Sequence, residues 1–212
     1  MTTSNTQNTE TASLNRSVVF PLILLVLYLG LMSLLAIEPY SRATWFAENL
    51  PVWIVVGLLV LTYRSFQFSN LSYFLMFFFL CYHTVGGHYT FSRVPFDFFN
   101  DLIGSERNNF DRVGHFLVGV FAYPTAELFV RKGWVSGAKL AALIGFLAVS
   151  TWAGLYEVIE MIYAVNYGGD EAADFLGSQG DIWDAQKDIA MDMLGAVLFG
   201  ALYLFCGTRK RD

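Results

Sequence analysis

Histidine, cysteine and charge are all scarce in this chain of 212 residues. Three histidines are too few for a membrane di-iron desaturase, which needs many more. Two cysteines, Cys81 and Cys206, sit in apolar runs and read as small hydrophobes rather than a disulfide framework or a nucleophile. Only 15% of residues are charged, against about 25% in an ordinary soluble domain. There is no Lys/Arg cluster to grip a phosphate backbone, so nucleic acid is excluded as a partner. Neither a P-loop, a dinucleotide fingerprint nor a Gly-x-Ser nucleophile beside a histidine is present.

Apolar residues are abundant instead. They make up 55% of the chain, and phenylalanine alone contributes 20 residues. A membrane-crossing helix needs about 20 mostly apolar residues, because the hydrocarbon core is about 30 Å thick. Six stretches qualify: Ser17 to Ile37, Trp45 to Tyr63 (the weakest, with Pro51 near its start), Leu71 to His88, Asp111 to Val130, Gly137 to Tyr163 and Asp184 to Cys206. The first is too long for a signal-peptide core and lacks a cleavage site, so it reads as a retained helix. The expected fold is therefore all-α, a polytopic transmembrane bundle of about six spans. Residues 1–15 read as a disordered polar tail, 16–207 as a single membrane domain and 208–212 as a basic tail.

Orientation follows from Lys and Arg in the connecting segments. With both termini in the cytoplasm, that side holds Arg16, Arg64, Arg131, Lys132, Lys139, Arg209, Lys210 and Arg211. The opposite side holds Arg42, Arg93, Arg107, Arg112 and Lys187. The bias predicts N-in and C-in in a bacterial inner membrane. The stretch Ala164 to Trp183 carries no Lys or Arg, which suits the outside, and residues 163–179 are long enough to form an outer cover.

In that orientation the polar residues gather at the outer ends of four helices. Asp111 and His115 are four residues apart, and Glu157 and Glu160 three apart, so each pair shares a helix face. Asp184, Asp188, Asp192 and Gly195 form one stripe, with Asp192 about 12 Å below Asp184 at about 1.5 Å per residue. Charged groups inside a membrane cost several kcal/mol and normally face the bundle interior. Plainer readings stand beside this one. Asp111, Asp181 and Asp184 are natural helix caps. Glu157 and Glu160 would pair with Arg112 or Lys187, His115 would simply bond across helices, and His83 would be a packed polar residue. Glu127 pairs with Arg131 at i,i+4 and stays outside the site. Gly86-Gly87 interrupts the third helix or allows a close backbone approach, and Pro124 bends the fourth.

The segments "NNFDRVGHFLVGVFAYP", "GLYEVIEM" and "GDIWDAQKDIAMDMLGA" resemble the YjdF-type family of bacterial inner-membrane proteins over residues 16–207. More distantly they resemble VanZ-like membrane proteins. Asp111-Arg112-x-x-His115 stands where that family has Asp-Lys-x-x-His, Glu157 or Glu160 matches its helix-end Glu, and Asp188-x-x-x-Asp192-x-x-Gly195 has Asp where Asn is usual. The VanZ likeness points toward the cell envelope and its lipids.

Three functions are weighed. In the first, the pocket binds or acts on an amphiphile, such as a lipid or polyprenyl-phosphate headgroup. His115 serves as general acid/base, oriented by Asp111, with Glu157 and Glu160 as further acid/base groups. A divalent ion, Zn, Mn or Mg, is expected on His88, Asp188 and Asp192. Arg93, Arg112 and Asp184 meet the substrate. The second function is a proton-coupled transporter, and the third a non-catalytic scaffold whose polar cluster specifies helix packing.

Overall fold

The computed structural model describes residues 4–167 and 176–207, with side chains from Val18 onward. The fold is all-helical among the described residues. Its helices are α1 (Ser4–Leu35), α2 (Arg42–Thr62), α3 (Asn70–Tyr89), α4 (Asp97–Ile103), α5 (Phe110–Val118), α6 (Ala122–Arg131), α7 (Ala138–Tyr167) and α8 (Asp184–Leu202). A 3-10 turn at Gly119–Phe121 joins α5 to α6, and a π turn at Tyr203–Gly207 extends α8.

Five of these segments are long and apolar enough to cross a membrane: Val18–Leu35, Arg42–Thr62, Phe110–Arg131, Ala138–Tyr167 and Asp184–Gly207. The second stretch, expected to be the weakest, is among them. It starts earlier than expected because Ser41 caps it, accepting from the Thr44 N–H at 3.3 Å. Helix α3 is the one that falls outside the apolar set. Its 20 residues are long enough, about 30 Å, but His83, His88, Thr84 and two glycines dilute its outer half.

Helical backbone reaches back to Ser4, into the stretch that composition assigned to a disordered tail. The basic tail, residues 208–212, lies outside the described residues, as do residues 168–175 of the stretch expected to form an outer cover.

The outward faces are apolar, as a lipid-facing surface requires. Val19, Leu22, Ile23 and Val26 on α1 are exposed, as are Leu194, Val197 and Leu198 on α8. The interior core where α1, α2, α3 and the 3-10 turn meet is Tyr28, Val52, Phe79, Leu80 and Val120. Helix α3 runs through Gly86-Gly87 without a break. The glycines serve close approach: a Cβ on Gly87 would lie 2.7 Å from Asn49 Nδ2, and one on Gly86 would enter the Phe91 ring. The helix ends instead at Thr90, whose φ of 59° is left-handed. At Pro124, where a bend is expected, the helix changes type just before the proline. Proline donates no N–H to the turn at Gly119–Phe121, and the chain there tightens to 3-10 before resuming as α6.

Candidate functional site

Close packing of α5 on α8 sets the site. A Cβ on Gly119 would strike the backbone of Gly195 and Ala196, and a Cβ on Gly195 would strike the Phe116 carbonyl. Two glycines thus let the helices touch backbone to backbone, the usual function of small residues between membrane helices. One turn along, His115 on α5 faces Asp192 on α8, with Nδ1 3.0 Å from Asp192 Oδ2. The other ring nitrogen, Nε2, faces two carboxylates among the described residues. It lies 3.7 Å from Asp111 Oδ1 and 3.8 Å from Glu157 Oε1. Glu157 Oε1 and Asp192 Oδ1 are buried with no hydrogen-bond partner among the described residues.

Above this pair, toward the expected outer side, two arginines hold the start of α8. Arg107 and Arg112 both reach Asp184 Oδ1, at 2.6 and 2.5 Å. Arg112 Nε is 2.6 Å from Asp188 Oδ1, an ion pair whose alignment is wrong for a hydrogen bond. Arg107 also donates to the carbonyls of Ser178 and Gly177, at 2.6 and 3.0 Å. That ties the segment before α8 against α5, with the Gly177 Cα side close to Asp111. Further out, Asp181 accepts from Lys187 at 2.6 Å and from the Trp183 N–H at 3.1 Å. These partners hold its carboxyl below the usual carboxylate range.

A second polar group lies on α2 and α3. Glu48 is buried, and its Oε2 accepts from Tyr156 OH at 2.9 Å. His83 Nε2 lies 2.9 Å from the Glu48 carbonyl oxygen and 3.6 Å from its carboxylate. Tyr156 is on α7, so this bond bridges α7 to α2 at one end of a large groove. The groove measures about 760 Å³. Its walls are Leu50, Ile54 and Leu58 of α2 and Val149, Trp152 and Ala153 of α7, and His115, Asp111, Asp192 and Glu160 lie at its polar end.

The sequence-derived set divides accordingly. Asp111, His115, Glu157, Asp188 and Asp192 come together. Glu160 lies nearby, on the groove. Asp184 belongs to the arginine clamp, so its carboxylate is already engaged. Arg112 faces Asp184 and Asp188 rather than open space. Arg93 is exposed and stacks over Tyr40 at 4.4 Å, away from the groove. His88 is not part of the cluster: its Nδ1 meets the Leu35 carbonyl at 2.8 Å, fastening α3 to the end of α1. Among the described residues, the group with metal-ligand spacing is Asp111, His115 and Asp188, whose donor atoms lie within 4.8 Å of one another.

The plainer readings divide too. Asp111 lies in the first turn of α5 without capping it, and Glu157 and Glu160 pair with neither Arg112 nor Lys187. His83 is a packed polar residue, as read. Glu48 was missed. Its signal was present, an acidic residue in an apolar stretch. Placing the start of the second span at Trp45 left it looking terminal, whereas Ser41 starts α2 well before it.

An all-helical chain with five long apolar segments and a buried acidic cluster is a polytopic integral membrane protein. It belongs to the family described as predicted membrane protein (DUF2238), whose model matches residues 20–209. The chain is 37% identical to the inner membrane protein YjdF of Escherichia coli (strain K12) over 178 residues, 83% of this chain and 82% of that one. The protein is accordingly a multi-pass protein of the bacterial inner membrane. The likeness to VanZ-like proteins rests on its motifs alone. No solved structure matches.

Proposed function

We propose that the protein binds, and acts on, an amphiphile of the cell envelope through the groove between α2 and α7. The observation that carries this reading is the groove's polarity gradient. Its long walls are apolar side chains of two membrane-spanning helices, and one end carries His115, Asp111, Asp192 and Glu160. An acyl or prenyl tail fits along Leu50, Ile54 and Leu58, where it exchanges one apolar surface for another. The headgroup then meets the buried acids at headgroup depth. A volume of about 760 Å³ is within the range of small-molecule sites, about 300–1,000 Å³.

In this reading His115 is the general acid/base. Asp192 orients its ring, in place of the Asp111 expected from the sequence, because Asp192 lies at hydrogen-bond distance and Asp111 does not. Nε2 is left facing Asp111 and Glu157, toward the head of the groove. Arg107 and Arg112 are held by Asp184, so the chemistry offered to a ligand is acidic. A phosphate-bearing head therefore needs a cation between itself and the carboxylates. A proton path through the protein is less well supported. Glu127, the acidic residue expected at the cytoplasmic end, is taken up by Ser69, Ser72 and Arg131.

The test fills the groove from one wall. Ala153 is buried beside it, and Ala153→Trp places a large ring in the tail path. Wild-type and variant protein, purified in the same mild detergent, are compared for co-purifying lipid by mass spectrometry. A species enriched on the wild type and reduced at least fivefold on the variant is expected. Identical lipid content on both would sink the reading.

A further inference from the structure

We propose that the protein binds one divalent transition-metal ion through His115 Nε2, Asp111 and Asp188, with Asp192 acting behind His115 as its orienting carboxylate. The first observation is the ring nitrogen that Asp192 does not engage. Asp192 fixes His115 through Nδ1 at 3.0 Å, which turns Nε2 toward Asp111 and Glu157. A metal-bound histidine typically donates its other N–H to a carboxylate in this way, which sets the tautomer and aims the lone pair.

The second observation is the spacing around Nε2. Asp111 Oδ1 and Glu157 Oε1 stand 3.7 and 3.8 Å away, too far for hydrogen bonds. Around an ion with bonds of about 2.1 Å, tetrahedral ligand atoms lie about 3.4 Å apart, so His115 Nε2 and Asp111 Oδ1 need a contraction of a few tenths of an ångström. Asp188 completes the set within 4.8 Å and closes by up to about 1.4 Å to reach the same spacing.

The third observation comes from outside the spacing. Asp188 is almost wholly buried, with Arg112 Nε 2.6 Å from its Oδ1 as an ion-pair partner. Glu157 Oε1, which faces the same ring nitrogen, is buried with no hydrogen-bond partner among the described residues. Oxygens of this kind are costly to bury, about 1–3 kcal/mol each and more when charged. Charge points the same way. Asp111, Glu157, Asp184, Asp188 and Asp192 crowd one end of the bundle, and the permanent cations among them are Arg107 and Arg112. A divalent cation offsets much of the remainder.

A histidine with carboxylates suits Zn or Mn. The assignment departs from the sequence-derived one in two respects. His88 is replaced by His115, because His88 is tied to the Leu35 carbonyl. Asp192 moves from ligand to support, because its near oxygen is spent on Nδ1. The inference holds whatever occupies the groove, since it rests on the spacing of Asp111, His115 and Asp188 and on their buried neighbours Asp192 and Glu157.

The experiment uses full-length protein in detergent, stripped with chelator and reloaded separately with Zn2+ and Mn2+. Bound metal after gel filtration and the shift in melting temperature are both read. Wild type is expected to retain about one ion per chain of one of the two and to melt several degrees higher with it. His115→Gln and Asp188→Asn should lose both effects, and Asp192→Asn should weaken affinity by about 10–100-fold, as expected for a supporting carboxylate. His88→Ala should bind as wild type does. Wild type that retains under a tenth of an ion per chain, with no melting shift from either metal, overturns the inference even if the variants fail to fold. So does retention unchanged in His115→Gln. The enriched lipid on wild type is measured in the same preparations, so lipid without metal would remove this inference and leave the groove reading standing.

Discussion

His115 and Asp192, 77 positions apart, meet at 3.0 Å where two glycines hold α5 and α8 together. Asp192 is almost fully buried, and its second oxygen is unpartnered. The bond therefore joins two helices and orients a ring at once. Asp192→Asn keeps the shape and an acceptor oxygen, so the variant should fold and melt within a few degrees of wild type while losing the enriched lipid. Asp192→Leu removes the acceptor and leaves the buried Nδ1–H unpaired, a cost of about 1–3 kcal/mol. Melting of the two variants in one detergent, read with their lipid content, checks this. Wild-type lipid content in Asp192→Asn would remove the residue from the site.

The glycine contact has its own consequence. Gly119 lies one turn beyond His115, and Gly195 one turn beyond Asp192. A methyl group at either would meet backbone, which cannot rotate away. Gly195→Ala should therefore push α8 off α5, at a cost of about 1–3 kcal/mol for overpacking, and lengthen the His115–Asp192 contact. Gly57→Ala on α2 is the control, because a Cβ there has nothing within 4 Å. The expected result is a clearly lower melting temperature for the first and none for the second. Equal melting of the two would count against the close approach of α5 and α8.

The membrane class and most helix bounds were legible because they follow from runs of apolar residues, which are local. So was the gathering of Asp111, His115, Glu157 and the α8 stripe, since helical spacing and shared depth already align them. What stayed hidden depends on which helices become neighbours. His88 has the same residue type and nearly the same depth as a site residue, yet it faces α1, and only the packing of α3 on α1 decides that. The hydrogen-bond partner of His115 was likewise hidden, since spacing within a helix favours the i,i+4 neighbour Asp111 and the inter-helix contact with Asp192 proves the shorter. Glu48 joins Tyr156 across 108 positions, a relationship that no local pattern carries.

Topology is testable directly. The Lys/Arg bias places both termini in the cytoplasm, with the α6–α7 connection on that side and the segment before α8 outside. Reporter fusions truncated after Gly133 and after Gly177 should report cytoplasm and periplasm respectively. Finding both on one side of the membrane would refute the arrangement, and with it the outward-facing reading of the site.

Glu127 provides the contrast that separates structural from functional acids. It is buried at the opposite end of the bundle from His115, and its carboxylate accepts from the Ser69 N–H and the Ser69 hydroxyl, each at 2.8 Å, from the Ser72 hydroxyl, and from Arg131 at 2.6 Å. Ser69 caps α3 and Arg131 closes α6, so one carboxylate fastens two helix ends together. Removing it in Glu127→Ala strands buried donors on Ser69 and Ser72, at about 1–3 kcal/mol for each left unpaired. Arg131 is half exposed and loses little, because water can replace its partner. Glu127→Ala should thus be among the most destabilising single changes in the protein, and Glu127→Gln milder, since one amide oxygen still accepts. In the fraction that stays folded, neither should alter the enriched lipid or the bound metal, because Glu127 does not line the α2–α7 groove. Glu160→Gln should do the reverse, leaving melting nearly unchanged and lowering lipid content. Measuring melting and lipid content for Glu127→Gln and Glu160→Gln side by side decides the matter: the same response from both would mean that the acids at the two ends of the bundle do the same job, and that the outer cluster is packing alone.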